Sequence, residues 1–280
     1  MKIIDQFFGV HPGRLIMPDD YLTGDPMPLI VYTAGRDEHI SDGTLSKLDY
    51  LYNNNAALTR ARDGLLNGIG DPYTGIKYRF AVLALQGAGY TPVFPSELEP
   101  VITSLVSTYK IATDRIYCTG LSLGGTIVLM SIVNAGNRYA AAVSMSTAGY
   151  NITDWKTNRK AKLWAIHGVD DIAPATNTGN SKNAVNGIWA TLPGDSHYTE
   201  VTGGHCCWDR QYDPAWVQNI NGVNMNIYQW MLCHVSFSDS GTGLKTTVTA
   251  PTSGTVTATR KIKNITVNYL DGTSELVSQL

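Results

Sequence analysis

The chain, 280 residues long, is short of charge. Asp, Glu, Lys and Arg together make up 16% of it, against about 25% in an average soluble domain. Neither sign dominates, since 21 basic and 23 acidic residues leave a formal net charge of −2. A strongly basic nucleic-acid binder and an acidic solvating tail are therefore both excluded. No apolar run reaches the ~18 residues that a membrane-spanning helix needs. The opening stretch, residues 1–13, holds one Lys and no apolar core of signal-peptide length. The expected location is the cytoplasm or a larger particle, with no transmembrane segment. Cysteine is scarce too: Cys118, Cys206, Cys207 and Cys233 are the whole set. Two of them are adjacent, and neighbouring side chains rarely converge on one ion or one tidy disulfide framework, so no metal site is expected. A bridge from Cys206 or Cys207 to Cys233 stays open.

What the chain has in quantity is 27 Gly, 15 Tyr and 6 Trp. That suits an α/β enzyme with many loops or a secreted-type protein, and composition alone does not choose. The order of segments does. Short apolar runs at residues 28–33, 80–85, 114–119, 140–145 and 162–167 read as buried strands. Between and after them lie helical patterns over 96–109 (from a Ser96 N-cap), 123–133, 181–191 and 214–233. Alternating strands and helices predict an α/β layer sandwich with a mostly parallel sheet, over residues 1–234. Such sheets carry their functional residues at the carboxyl ends of strands. From residue 235 to 280 the texture becomes Thr-rich and alternating. Residues 245–249 and 254–259 could be strands, and residues 265–269 and 275–277 flank an Asp271-Gly272 turn as in a β-hairpin. This part is expected to be a small β appendage.

Gly120-Leu121-Ser122-Leu123-Gly124-Gly125 follows one expected strand and opens one expected helix. That is the context of a nucleophile elbow, where a Ser on a tight strand-to-helix turn needs small neighbours. The helix start then offers backbone N–H groups to a developing oxyanion. A Ser nucleophile needs a base. Of the six His, His205 stands on a loop in Gly203-Gly204-His205 after the strand-like run 197–202. His167, inside an apolar strand, reads as a packed strand-end residue. The base in turn needs an orienting carboxylate. Asp170 and Asp171 both follow the strand ending at His167, and either could serve. The resulting order Ser…Asp…His is that of the α/β-hydrolases.

On these residues the chain resembles α/β-hydrolase esterases of the phospholipase/carboxylesterase and esterase-D/polyhydroxybutyrate-depolymerase type, a group that includes feruloyl-esterase-like proteins and predicted peptidases. The resemblance runs from about residue 10 to residue 234. It is carried by residues 13–21 and 28–31, Asp114-Arg115-Ile116-Tyr117 ahead of the elbow, His167-Gly168-Val169-Asp170-Asp171, Gly203-Gly204-His205-Cys206-Cys207-Trp208 and residues 226–231. It implies the triad Ser122, Asp171 and His205, with Asp171 preferred because the acid falls three residues after the Gly of His-Gly. It also implies an oxyanion hole built from the N–H groups of Leu123 and Arg36. The chain departs from the family where His-Gly-x-Gly-Glu is usual: Gly35 and Glu38 are kept, but Ala34 and Asp37 replace the His and the second Gly. Gly35 and Gln86 are candidate pocket residues. Trp208 could wall the pocket or belong to the core.

The expected function is cofactor-free, serine-dependent hydrolysis of small or carbohydrate-linked carboxylic esters, with a small-molecule ester as partner. A peptidase, or a feruloyl or acetyl esterase, fits the same scaffold. A non-catalytic binding or structural module, for example of a phage particle, is the rival from another class, suggested by the altered loop and the appendage.

Overall fold

The computed structural model describes residues 1–134, 137–147, 161–171 and 196–236, with three further strands at 248–249, 265–268 and 274–277. The chain divides into two compact units, Met1–Phe237 and Ser238–Leu280.

In the first unit the strands are β1 (Lys2–Phe8), β2 (His11–Met17), β3 (Met27–Thr33), β4 (Asn67–Gly70), β5 (Lys77–Arg79), β6 (Ala81–Leu85), β7 (Ile111–Leu121), β8 (Ala141–Met145), β9 (Lys162–Gly168), β10 (Ser196–Val201), β11 (Gln218–Ile220) and β12 (Val223–Met225). Eight of them form one sheet in the order β1-β2-β6-β3-β7-β8-β9-β10. β1 and β2 run antiparallel at one edge, and all pairings from β6 to β10 are parallel. Both faces of the parallel part are covered, which is why its strands read as unbroken apolar runs. Along β3, Leu29 and Val31 enter one core layer while Ile30 and Tyr32 enter the other.

The described helices are α1 (Ala57–Arg62), α2 (Pro95–Thr108), α3 (Leu123–Asn134), α4 (Trp208–Gln211) and α5 (Ile227–Leu232). None is long and apolar enough to cross a membrane. α3, which starts one residue after Ser122, buries most of its circumference, so it belongs inside a layer. The five expected strands are all present, with ends shifted by at most three residues. The helix expected over 181–191 lies outside the described residues.

Two helix expectations are corrected. Ser96 is not the cap of α2: Phe94 holds that position, Pro95 opens the helix, and the Glu97 carboxylate accepts the Phe94 N–H at 2.8 Å. Pro at the first helical position wins because its missing N–H is one of the unpaired donors there. The single helix expected over 214–233 is instead a hairpin, β11–β12, followed by the short α5. Asn221 and Gly222 turn the hairpin with φ of 53° and 87°, as an Asn-Gly turn between paired strands requires. Asn226 then caps α5, taking the Gln229 N–H while the Gln229 side chain takes the Asn226 N–H.

In the second unit, β13 (Val248–Thr249) lies parallel to β14 (Ile265–Asn268), which pairs antiparallel with β15 (Ser274–Val277). Ile265 faces Val277 and Asn268 faces Ser274. Residues 254–259 and the Asp271-Gly272 turn lie outside the described residues. All four cysteines are free thiols, so neither bridge to Cys233 is formed.

Candidate active site

Ser122 sits where β7 becomes α3, with φ at +54°. A non-Gly residue there stores roughly 1–3 kcal/mol of strain, so its surroundings must hold it. Its N–H donates to Met145 O at the end of β8 (2.9 Å), and its carbonyl receives Thr126 N–H (3.2 Å). Gly124 lies against the carbonyls of Thr33 and Ala34 so closely that a Cβ would overlap both. The Thr33 hydroxyl adds a donor to Gly124 O at 2.8 Å. The elbow is thus clamped to the end of β3 by backbone proximity that larger residues would prevent.

The other two strand ends lock together in the same way. Asp170 N–H donates to Gly203 O and Val169 N–H to Val201 O, at 3.0 and 2.9 Å. A Cβ on Gly168 would run into the carbonyl oxygens of Gly203 and Gly204. The loop after β9 and the loop after β10 therefore touch backbone to backbone. Asp171 lies in the first and His205 in the second. His205 Nδ1 is 2.9 Å from Asp171 Oδ2, and His205 Nε2 is 2.9 Å from Ser122 Oγ. An ionised carboxylate only accepts, so Nδ1 carries the proton, Nε2 of the neutral ring accepts, and the Ser122 hydroxyl donates. The Asp171 side chain is fully buried and that of His205 is partly exposed. Asp170 is exposed, and its backbone, rather than its carboxylate, ties the loops. Trp208 belongs to the core and also sets its ring edge-on to His205, with centroids 5.3 Å apart. Beneath it, Tyr212 donates to Thr119 Oγ1 (2.9 Å), whose own hydrogen goes to Val143 O. The segment carrying His205 is thereby tied to the strand that leads to Ser122.

The loop of Ala34 to His39 follows β3, with Gly35 close to Leu121 just before Ser122. Gly35 N–H donates to Glu38 Oε2 at 2.6 Å, and the Tyr32 hydroxyl donates to the same oxygen at 2.8 Å. Glu38 is wholly buried, and that burial pushes its carboxyl up to about 7 in spite of both donors. His39 bridges the loop to the neighbouring one. Its Nδ1 accepts Gly87 N–H (2.9 Å) and its Nε2–H reaches Ala34 O (3.2 Å). Burial lowers it to about 4, so it stays neutral and keeps both roles. Gln86 is buried, and its Nε2 donates to Glu38 O and Lys47 O, both at 2.9 Å; the structure places it as a brace of this loop. With Gly35 N–H committed to Glu38, the next N–H, that of Arg36, has no acceptor among the described residues. The side chains of Arg36 and Asp37 point to solvent and pair at 3.0 Å.

Sequence reasoning passed over two groups here. His167, read as a packed strand end, places Nε2 3.0 Å from Asp171 Oδ2. Glu38 was noted only as a kept family residue, yet it is the acceptor on which the loop turns.

Comparison with known proteins agrees with this architecture. The prolyl oligopeptidase family matches residues 66–182, a span that includes Ser122 and Asp171 and stops short of His205. No curated protein matches the chain. Among solved structures, a thermostable esterase aligns with a TM-score of 0.60 and 22% identity over 84% of this chain. The chain spans 62% of that esterase's length. An S-formylglutathione hydrolase from Staphylococcus aureus aligns with a TM-score of 0.55 and 13% identity, over 76% of this chain and 94% of its own. The fluorophosphonate-binding serine hydrolase F of the same organism gives 0.52 and 14%, over 76% and 95%. The fold is that of the α/β-hydrolases.

Proposed function

We propose that the protein is a serine hydrolase that cleaves small or carbohydrate-linked carboxylic esters through an acyl-enzyme. The observation that carries the proposal is the line Asp171–His205–Ser122, two contacts of 2.9 Å each, ending on a Ser with left-handed backbone. In this reading Ser122 Oγ attacks the acyl carbon while His205 Nε2 takes its proton. Asp171 holds the ring so that Nε2 faces Oγ, and stabilises the imidazolium that forms. The oxyanion is received by Leu123 N–H at the start of α3 and by Arg36 N–H of the loop after β3. Collapse of the tetrahedral intermediate expels the alcohol, which leaves with the proton from His205. Water, deprotonated by the same Nε2, then attacks the ester on Ser122, and the acid departs.

Arg36 and Asp37, on the loop that carries the second oxyanion donor, pair with each other, which suits a neutral acyl group. The match to the prolyl oligopeptidase family supports a second reading, amide cleavage by the same machinery. The test compares p-nitrophenyl acetate with aminoacyl p-nitroanilides, using the wild type and Ser122→Ala. Ester turnover that disappears in the variant, with anilides untouched, is expected. Anilide turnover selects the second reading, and an inert wild type removes both.

A further inference from the structure

His167 has no part in the scheme above, yet its side chain and that of Asp171 are both fully buried, with Nε2 3.0 Å from Oδ2. The same oxygen faces His205 Nδ1 at 2.9 Å. Two imidazole nitrogens thus stand within hydrogen-bond distance of one carboxylate oxygen, which as an ionised acceptor can take a proton donor from each. The carrier of the second donor is rigid. His167 lies in β9, paired in register with Glu200 of β10, and the next residue is the Gly168 whose backbone abuts Gly203 and Gly204. Asp171 itself comes from a loop one turn further on, where its N–H reaches back to Gly168 O at 3.2 Å. A donor on a strand beside a buried carboxylate on a loop can help to set the carboxylate's plane.

We infer that His167 is a positioning residue for the Asp–His pair: through Nε2–H it fixes the Asp171 carboxylate in the rotamer that orients His205. The inference rests on the hydrolase reading given above and adds a fourth side chain to it. Without that donor, the Asp171 carboxylate is held less firmly, the imidazolium loses part of its stabilisation, and the ring samples orientations with Nε2 off Ser122. Turnover and the acid limb of the pH profile then fall together, from one cause. Among the described residues, Asp171 also acts electrostatically on the Cys206 and Cys207 thiols, and neither is altered in the variants below.

The experiment uses the full chain and three variants. His167→Phe fills the site without a donor. His167→Gln returns an N–H at the reach of Nε2, and His167→Asn returns one only at the reach of Nδ1. For p-nitrophenyl acetate, His167→Phe is expected to lower kcat at least ~10-fold with KM changed less than ~3-fold. The acid limb of kcat/KM should move about 0.5 pH units lower. His167→Gln is expected within ~3-fold of wild type with its limb restored, and His167→Asn is expected to behave as His167→Phe. If the Phe variant does not fold, the Gln–Asn contrast decides. A Phe variant within twofold of wild type, or Gln and Asn variants of equal rate, would overturn the inference. An acid limb that moves upward with kcat kept would overturn it as well, because His167 would then drain charge from Asp171 and not hold it. Titration of the His205 ring by NMR in the same proteins separates the two layers. If the wild type is inert, the hydrolase reading falls, and a downward shift in His167→Phe still upholds the positioning role while no shift refutes it.

Discussion

The two parts of the candidate site are held by different means. On the side of Ser122, Asp171 and His205, strand ends meet backbone to backbone: Gly124 against Thr33 and Ala34, and Gly168 against Gly203 and Gly204. On the side of Ala34 to His39, the backbone is held by side chains, with Glu38 taking two donors and His39 and Gln86 bridging loops. Close backbone contact does not titrate and tolerates no added atom. Buried polar side chains do titrate, and they tolerate change of size better than change of charge. The backbone frame of the first side should therefore fail to steric substitutions at any pH, and the loop of the second to changes of protonation, while the reacting side chains held by that frame answer to charge.

Four substitutions probe that contrast. The largest effect is expected from Asp171→Asn, which leaves the geometry but favours the wrong tautomer of His205. Ester kinetics should show kcat down by roughly 10³–10⁴. Gly168→Ala comes next. Its Cβ forces the Asp171 and His205 loops apart, and a shift near 1 Å should lower kcat roughly 100-fold at every pH from 6 to 9.

Glu38→Gln tests the other side by urea unfolding. The folded-state value of Glu38, about 7, lies above its ordinary 4.5. Its favourable share of stability is thus whole below about pH 4.5 and is lost as pH rises through 7. His39, lowered from 6.5 to about 4, works the opposite way, losing its share as pH falls below 6.5. Between pH 4.5 and 6.5 the two oppose each other in the wild type. The stability difference between Glu38→Gln and wild type should therefore change by up to about 3 kcal/mol from pH 4.5 to pH 8, in favour of the variant at the higher pH. A pH-independent difference would mean that Glu38 does not titrate in the fold. The smallest effect belongs to Thr33→Val, which removes the donor to Gly124 O while keeping the shape. About 1 kcal/mol of unfolding free energy should be lost, with pH dependence unchanged.

The strands were legible because both faces of the parallel sheet are covered, which leaves unbroken apolar runs such as residues 28–33. The elbow was legible because a strained Ser between glycines leaves a rigid local pattern. Two kinds of feature were not read. One is local chemistry outweighed by periodicity: Asn221-Gly222 and the pair Asn226 and Gln229 signal a hairpin and a helix cap, but apolar residues recurring over 214–233 suggested a single helix. The other is a long-range polar partner inside an apolar run. Nothing in residues 162–167 says whether His167 packs or donates, since that depends on where the loop to Asp171 turns. For the same reason Glu38 was visible as a residue, while the convergence of Tyr32 and Gly35 on one of its oxygens was not.

The central claim is that Ser122 is a nucleophile activated by His205. It is tested most directly by exposing the full chain to a fluorophosphonate and mapping the adduct by mass spectrometry. A single phosphonyl group on the tryptic peptide 116–138, which contains Ser122, is expected in the wild type and should disappear in His205→Ala. An unmodified peptide 116–138 in the folded wild type, or labelling that persists in His205→Ala, would contradict the claim.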